Sequence, residues 1–575
     1  MSIVSGVNPT MHGTRWRSLA IFALVWLASV AARLPVTHAI LFDYDVVPVV
    51  SLGWEWLHGG AFPAHGTLSS VAAYNMPGLV WLHLPVLALV PSPGLAILIT
   101  LLFVQWLGAA ALYSVALAMF GQRAALAALA LFVFSETAYA ATVTAWAQLV
   151  LPALVALVLC CLWRWTRSGR ARWFVAAGLI ALFAFMTHFS AVILLPALLV
   201  WWLLAGRRVP LAALAWLAAL GALLLAPYLL FQAGRGFADL RAFTSRTPQI
   251  PAEVLRQYEA LQRDPALPLP AVPPTSAEAE SPLVAAPAED AGQPAPVRLA
   301  QRLSLELRYV AHRITQFSAS LNTGEPPYAW AHVGLHWLAQ ALLLGGAAVA
   351  IALYVRRGRR RGWRSALVAA RSGRYVLLLA FFGAYVAVLL LLRVYPSTQP
   401  TYLTSLFPLA VLLIAAALAG LAGVAKGWRA WAAVLVVVCA YALASTITRY
   451  DTVQQREGTV IPRVWYYGTL RQAADFIASD WPQDTVTIAY DILPEQRAFW
   501  WVPAWHTVSP DYRMGMAHDF VLLAEHGVLN LNRDPVGAAA GADYIVVFSS
   551  GLGRYPQAEY DTHAFGPLVV LRPKD

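Results

Sequence analysis

Two carboxylates carry the first chemical suggestion in this sequence. Asp43 and Asp45 stand in the stretch "HAILFDYDVVPVVSLGWEWLHGG", directly after an apolar run that begins at Ser18. Ionisable groups at the edge of a bilayer are expensive, so those a chain keeps there are the first candidates for a base or for ligand contact. Downstream, the loop returns to apolar sequence through Tyr74-Asn75-Met76-Pro77. Polar groups at the ends of later apolar runs are further candidates for substrate contact: Glu136, Gln148, His188, Arg393 and Tyr402.

Composition sets the elements that must position these groups. The 575 residues are 59% hydrophobic and 12% charged, with a mean hydropathy of +0.61. Apolar runs of roughly 17–25 residues match the thickness of a bilayer core, so the chain is predicted to be a polytopic α-helical membrane protein. Its net charge of +11 is gathered in short basic loops at Arg164–Arg172, Arg207–Arg208, Arg356–Arg364 and Lys426–Arg429. That is the pattern of cytoplasmic loops, and it argues against nucleic acid as a partner. Cys160, Cys161 and Cys439 lie within apolar runs and offer neither a disulfide framework nor zinc spacing.

Twelve apolar runs are candidates for spanning helices, beginning with Ser18–Leu34, which reads as a retained helix rather than a cleaved leader. Arg15 and Arg17 place the N-terminus in the cytoplasm, and the basic loops then place the C-terminal region outside. Such a topology requires an odd number of crossings. Either one of the short runs Gly78–Val90 and Ala124–Ser135 is re-entrant, or a longer run conceals a second crossing.

Four regions follow. Residues 1–231 form an N-terminal transmembrane module whose first outer loop spans 36–78. Residues 232–332 form an outer loop with a Pro/Ala/Glu-rich linker, Asp264–Pro296, and an amphipathic surface helix, Val297–Leu321. Residues 333–449 supply the later transmembrane helices. Residues 450–575 read as a small soluble α/β domain, with a helix near Thr469–Ser479 and strands at "TVTIAY", "DYIVVFS" and "PLVVLR".

Several short motifs together resemble the GT-C glycosyltransferases, in the branch of protein O-mannosyltransferases and aminoarabinose transferases (glycosyltransferase family 39-like). The first loop opens on an acidic residue and continues through a segment ending in Gly59-Gly60. "FSETAYAATVTAWAQLVLP" (Phe134–Pro152), "FMTHFSAVILLP" (Phe185–Pro196) and "QPTYLTSLFPLAVLLIAAAL" (Gln399–Leu418) resemble later motifs of that branch. The sequence departs from the branch at Val46, where a second acidic residue is common, at Thr142-Val143, near which relatives carry a basic residue, and at Thr401, where they often carry arginine.

The resemblance implies a GT-C fold of about 11–13 transmembrane helices and an enzyme in the cell membrane. Such an enzyme takes a sugar from a polyprenyl-phosphate carrier and passes it to an acceptor hydroxyl on the extracytoplasmic face, with inversion. The acceptor would be protein, lipid or glycan. Asp45, or Asp43 beside it, is the expected base. His188 and Arg393 are the expected phosphate contacts. Glu136, Tyr74, Asn75, Gln148 and Tyr402 are expected to line the cavity. No metal or other cofactor is expected, although Asp43-Tyr44-Asp45 spells the D-x-D of metal-dependent sugar transferases. A transporter or lipid flippase, and a non-catalytic membrane scaffold, are the rival readings.

Overall fold

A computed structural model describes residues 10–34, 40, 42, 46–67, 74–143, 145–239, 373–391, 404–424, 433, 436, 440, 467–481, 483–491, 510–530, 541–566 and 568–574. The linker, the amphipathic segment Val297–Leu321 and the apolar runs at 333–354 and 429–447 lie outside these residues, apart from the three isolated positions.

The N-terminal half is almost wholly helical. Its elements are α1 (Thr10–Ala31), α2 (Val47–Leu57), α3 (Gly78–Leu87), α4 (Pro93–Phe120), α5 (Gln122–Val133), α6 (Glu136–Val143), α7 (Ala147–Ser168), α8 (Ala171–Thr187), α9 (Leu194–Ala205) and α10 (Leu211–Gly234). Two later helices follow, α11 (Arg374–Leu391) and α12 (Phe407–Val424). Among the described residues, α4, α7 and α10 are long and apolar enough to cross a membrane. The most hydrophobic stretch of α7 is 89% buried and that of α10 only 11% buried, although their hydropathies are 2.0 and 2.1. Lipid and protein core are equally apolar, so composition does not separate a central helix from a peripheral one.

The connections sort the helices into two ends of a bundle. At one end the basic loops meet: Arg207 donates through Nε to the carbonyl of Thr166, and Trp202 donates to the carbonyl of Arg207. At the opposite end lie the close of α8, the start of α7 and the close of α10. Their contacts, given below, involve the returning first loop.

The helix α3 does not cross. It spans ten residues, about 15 Å at the helical rise and half a bilayer core. It begins against the Met186–Thr187 backbone at the close of α8. Just past its end, Ser92 meets Tyr467 of the C-terminal region at 2.9 Å, and the backbone N–H of Tyr467 donates to the carbonyl of Ile40 in the first loop. Both ends of α3 therefore sit on one side of the bundle. The run Gly78–Val90 therefore returns to the side on which it begins.

The C-terminal region contains α13 (Tyr467–Asp480), β1 (Thr485–Val486), β2 (Ile488–Asp491), α14 (Pro510–His526), β3 (Leu529–Asn530), β4 (Tyr544–Phe548), β5 (Tyr560–Phe565) and β6 (Leu568–Pro573). β1 pairs with β3 in parallel, while a second sheet has the order β2-β4-β6-β5. In that sheet β2 and β4 are parallel, with Tyr490 opposite Val546, and the hairpin β5–β6 adds antiparallel strands. The three strands expected from alternating and β-branched sequence are present. The helix α14 and the short strands β3 and β5 go beyond them. β5 reads "YDTHAF", with little apolar content to announce it.

Candidate active site at one end of the helical bundle

The first loop leaves α1 near Arg33 and resumes in described structure at Ile40, Phe42 and Val46, all three buried. Asp43 and Asp45 themselves lie outside the described residues, as do Arg393 and Tyr402. Val46 leads into α2, whose early Pro48 suits a helical first turn. The helix stops before Gly59-Gly60, as the sequence suggests.

The return of the loop is a closed β-bridge. Gly66 N–H donates to the carbonyl of Asn75 at 2.7 Å, and Asn75 N–H to the carbonyl of Thr67 at 2.8 Å. The Asn75 amide also donates to Thr67 Oγ1 at 3.1 Å. The Tyr74 ring stands edge-on to His65 at 4.6 Å and to Phe231 at 5.6 Å, with the Arg235 guanidinium 4.6 Å from its centroid. Its carbonyl accepts from Tyr228 Oη at 3.0 Å. The buried Asp239 carboxylate gathers Tyr228, Gln232 and Arg235 behind this wall. These bonds tie the loop to the close of α10, which accounts for both Tyr74 and Asn75 as loop-closing groups.

Two other candidates meet directly. Gln148 Nε2 at the start of α7 lies 3.0 Å from His188 Nε2 at the close of α8. Across the ring, His188 Nδ1 lies 2.7 Å from Ser190 Oγ and accepts from Ser190 N–H at 3.2 Å. With Nδ1 an acceptor, the proton belongs on Nε2. The Gln148 amide then faces it through oxygen, an assignment the hydrogen-bond network decides. Thr404, two residues after Tyr402, donates to the carbonyl of Gln148 at 2.9 Å and brings the start of α12 to the same place. Glu136 opens α6, whose first turn is capped by Ser135 Oγ accepting from Ala138 N–H. Its side chain lies outside the described residues.

A residue that sequence reasoning passed over organises this end of the bundle. Arg33 is 3% exposed. It donates through Nη1 to Gln105 Oε1 at 2.5 Å and Thr142 Oγ1 at 3.0 Å, and through Nη2 to Ser29 Oγ at 3.3 Å and the carbonyl of Val133. Among the described residues no carboxylate pairs with it, so carbonyls and hydroxyls share its charge. Thr142, where relatives are expected to bring a basic residue, here accepts one from another helix. The available signal was position: an arginine at the end of α1 opposite to Arg15 and Arg17 runs against the positive-inside pattern. Among the described residues no group of three or more His, Cys, Asp or Glu side chains is placed to hold a metal ion.

Apolar helices of bilayer length, a loop folded back along one end, and polar side chains collected beside that loop define a polytopic helical membrane protein. Residues 75–231 match the family described as dolichyl-phosphate-mannose-protein mannosyltransferase. The matched stretch runs from the return of the first loop to α10. No curated protein matches the sequence. Two solved structures follow a similar course. The first is ArnT from Cupriavidus metallidurans bound to undecaprenyl phosphate (14% identity, 97% of this chain and 98% of that one, TM-score 0.46). The second is the archaeal oligosaccharyltransferase AglB from Archaeoglobus fulgidus in complex with an inhibitory peptide and a dolichol-phosphate (13% identity, 98% and 75%, TM-score 0.44).

Proposed function

We propose that this protein transfers a sugar from a polyprenyl-phosphate carrier to an acceptor hydroxyl, at the end of the bundle where the first loop, Gln148 and His188 gather. The observation that carries the reading is this gathering inside the family match: the loop return at Asn75, the Gln148–His188 pair and Tyr228 of α10 all fall within residues 75–231. A donor whose lipid tail stays in the bilayer presents its phosphate at the membrane edge, which is where these polar groups lie.

In this mechanism Asp45 removes the proton of the acceptor hydroxyl, with Asp43 as the neighbouring acceptor. The freed oxygen attacks the anomeric carbon from the side opposite the phosphate. The bond from that carbon to the phosphate oxygen breaks, the electron pair leaves with the polyprenyl phosphate, and the anomeric centre inverts. Arg393 and His188 stabilise the departing phosphate, while Glu136, Gln148 and Tyr402 orient the sugar. The reaction needs no metal. The protein sits in the cell membrane with its N-terminus cytoplasmic, and the C-terminal domain, on the outer face, borders the acceptor side.

The test uses full-length protein in nanodiscs with a panel of radiolabelled polyprenyl-phosphate monosaccharides, scoring release of polyprenyl phosphate and label passed to acceptor. One donor is expected to turn over, EDTA to leave the rate unchanged, and Asp45→Asn to lower kcat by roughly 10²-fold or more. Flipping of labelled lipid without any glycosylated product would establish the transporter reading instead. An Asp45→Asn protein as active as the wild type would remove Asp45 as the base.

A further inference from the structure

We propose that the C-terminal domain positions the carboxylate-bearing segment of the first loop, gripping Phe42 between Tyr467 and Phe520. This inference rests on the reading of Asp43 and Asp45 given above and extends it to a part of the chain far away in sequence.

Phe42 immediately precedes Asp43, and Val46 immediately follows Asp45. Both flanking side chains are fully buried, so the chain is anchored immediately before and immediately after the acidic pair. The Phe42 anchor is made by the other domain. The Tyr467 ring meets it edge-on at 5.2 Å, and Phe520 of α14 stacks on it at 6.1 Å with planes 13° apart. Phe520 reaches Trp54 as well, edge-on at 5.9 Å, so one side chain touches the chain both before and after the carboxylates. The backbone takes part too, because Tyr467 N–H donates to the carbonyl of Ile40 at 2.9 Å.

The gripping residue is itself held. Tyr467 Oη bonds Ser92 Oγ at 2.9 Å and donates to the Glu525 carboxylate, and Arg471 Nε lies 3.8 Å from the same carboxylate. The Tyr467 ring lies over Gly94 so closely that a Cβ there would come within 2.3 Å of it. Glycine at the start of α4 thus makes room for a ring whose opposite edge bears on the loop. A contact serving only to join two domains could be made anywhere on their surfaces. Here it is concentrated on the residue next to the acidic pair, and displacing a base by about 1 Å costs a transferase on the order of 10²-fold.

Full-length protein in nanodiscs is compared as wild type, Tyr467→Ala, Phe520→Ala and the conservative Tyr467→Phe and Phe520→Leu. Two readouts are taken: hydrogen exchange of peptides covering residues 40–46, and kinetics with whichever polyprenyl-phosphate sugar the wild type turns over. Both alanine variants are expected to speed exchange at 40–46 by about tenfold and to lower kcat by about tenfold or more, with KM for the donor within about twofold. The conservative variants should stay within about threefold of wild type on both measures, and peptides from α7 should be unchanged throughout. Unchanged exchange at 40–46 in both alanine variants overturns the grip, whatever the kinetics. Faster exchange with full kcat overturns the positioning role. If the wild type turns over no donor while exchange accelerates as stated, the grip stands and it is the catalytic reading that fails.

Discussion

A methyl group placed on Gly78 would lie 2.6 Å from the carbonyl carbon of Met186. The start of α3 and the close of α8 are thus in backbone-to-backbone contact, one turn of chain from Asn75 on one side and two residues from His188 on the other. The contact sets the depth at which the first loop returns to the bundle.

Gly78→Ala should therefore be costly although alanine is the better helix former. The obstructing atoms belong to a backbone, which cannot rotate aside, and overpacking of this kind costs about 1–3 kcal/mol. A lowered thermal midpoint in detergent, together with weakened exchange protection at the close of α8, is the expected result.

Gln148 and His188 should behave as a unit. Each is expected to raise KM for the donor when replaced by alanine, and the double variant should lose less than the two single losses combined. Residues in direct contact show coupling of about 0.5–3 kcal/mol. Additive losses in a double-mutant cycle would mean that the 3.0 Å contact has no part in holding substrate.

Arg33→Lys should fail to restore what Arg33→Met removes. A lysine keeps the charge but offers a compact ammonium in place of a planar fork, so it does not reach Gln105, Thr142 and the Val133 carbonyl together. Leaving those acceptors unsatisfied should cost on the order of 2 kcal/mol, with the membrane reference state softening the loss. Thermal unfolding of the two variants checks it.

Opposed pH dependences are built into the C-terminal domain. Tyr490 Oη lies 2.7 Å from His518 Nδ1 and donates to Asp519 Oδ1 at 2.5 Å, and the Asn530 amide donates to the same oxygen at 3.0 Å. Burial pushes the Asp519 carboxyl up to about 6, against the opposing pull of the Tyr490 and Asn530 hydrogen bonds. Burial also pushes His518 down to about 4. Asp519 binds its proton more tightly in the folded state, so its contribution is full at low pH and is lost as pH rises toward 6. His518 is held neutral, so its contribution is present above its ordinary 6.5 and is lost as pH falls toward 4. The two nearly offset each other. Asp519→Asn should leave a domain whose stability climbs from about pH 4 to 6.5, and His518→Gln one whose stability falls between about pH 4 and 6. Exchange protection of β2 and β4 across that range measures both.

Much of the fold was legible because lipid imposes a simple rule on sequence. The apolar runs at 94–119, 173–187 and 209–231 became α4, α8 and α10 with shifts of a few residues at their ends, and "TVTIAY" became β1 and β2. The run at Gly78–Val90 obeyed the same composition and still does not cross. Apolar sequence reports burial, and a helix lying between α2, α4 and α8 is buried as fully as one surrounded by lipid. Gln148 and His188 were singled out as candidates by motif positions and do meet in the fold, whereas Arg33 sat in plain view as the last polar residue of an apolar run.

The sequence by itself determined that this chain carries bilayer-length apolar runs, that acidic residues follow the first of them, and that short strands come near its end; hydropathy and periodicity are local properties and can be read in order. Tertiary structure alone decided that Ser92 and Tyr467, 375 positions apart, share one side of the bundle, that Gln148 faces His188, and that Phe42 is gripped by the far end of the chain. Such pairings arise from close packing between segments that carry no mark of one another in their own composition.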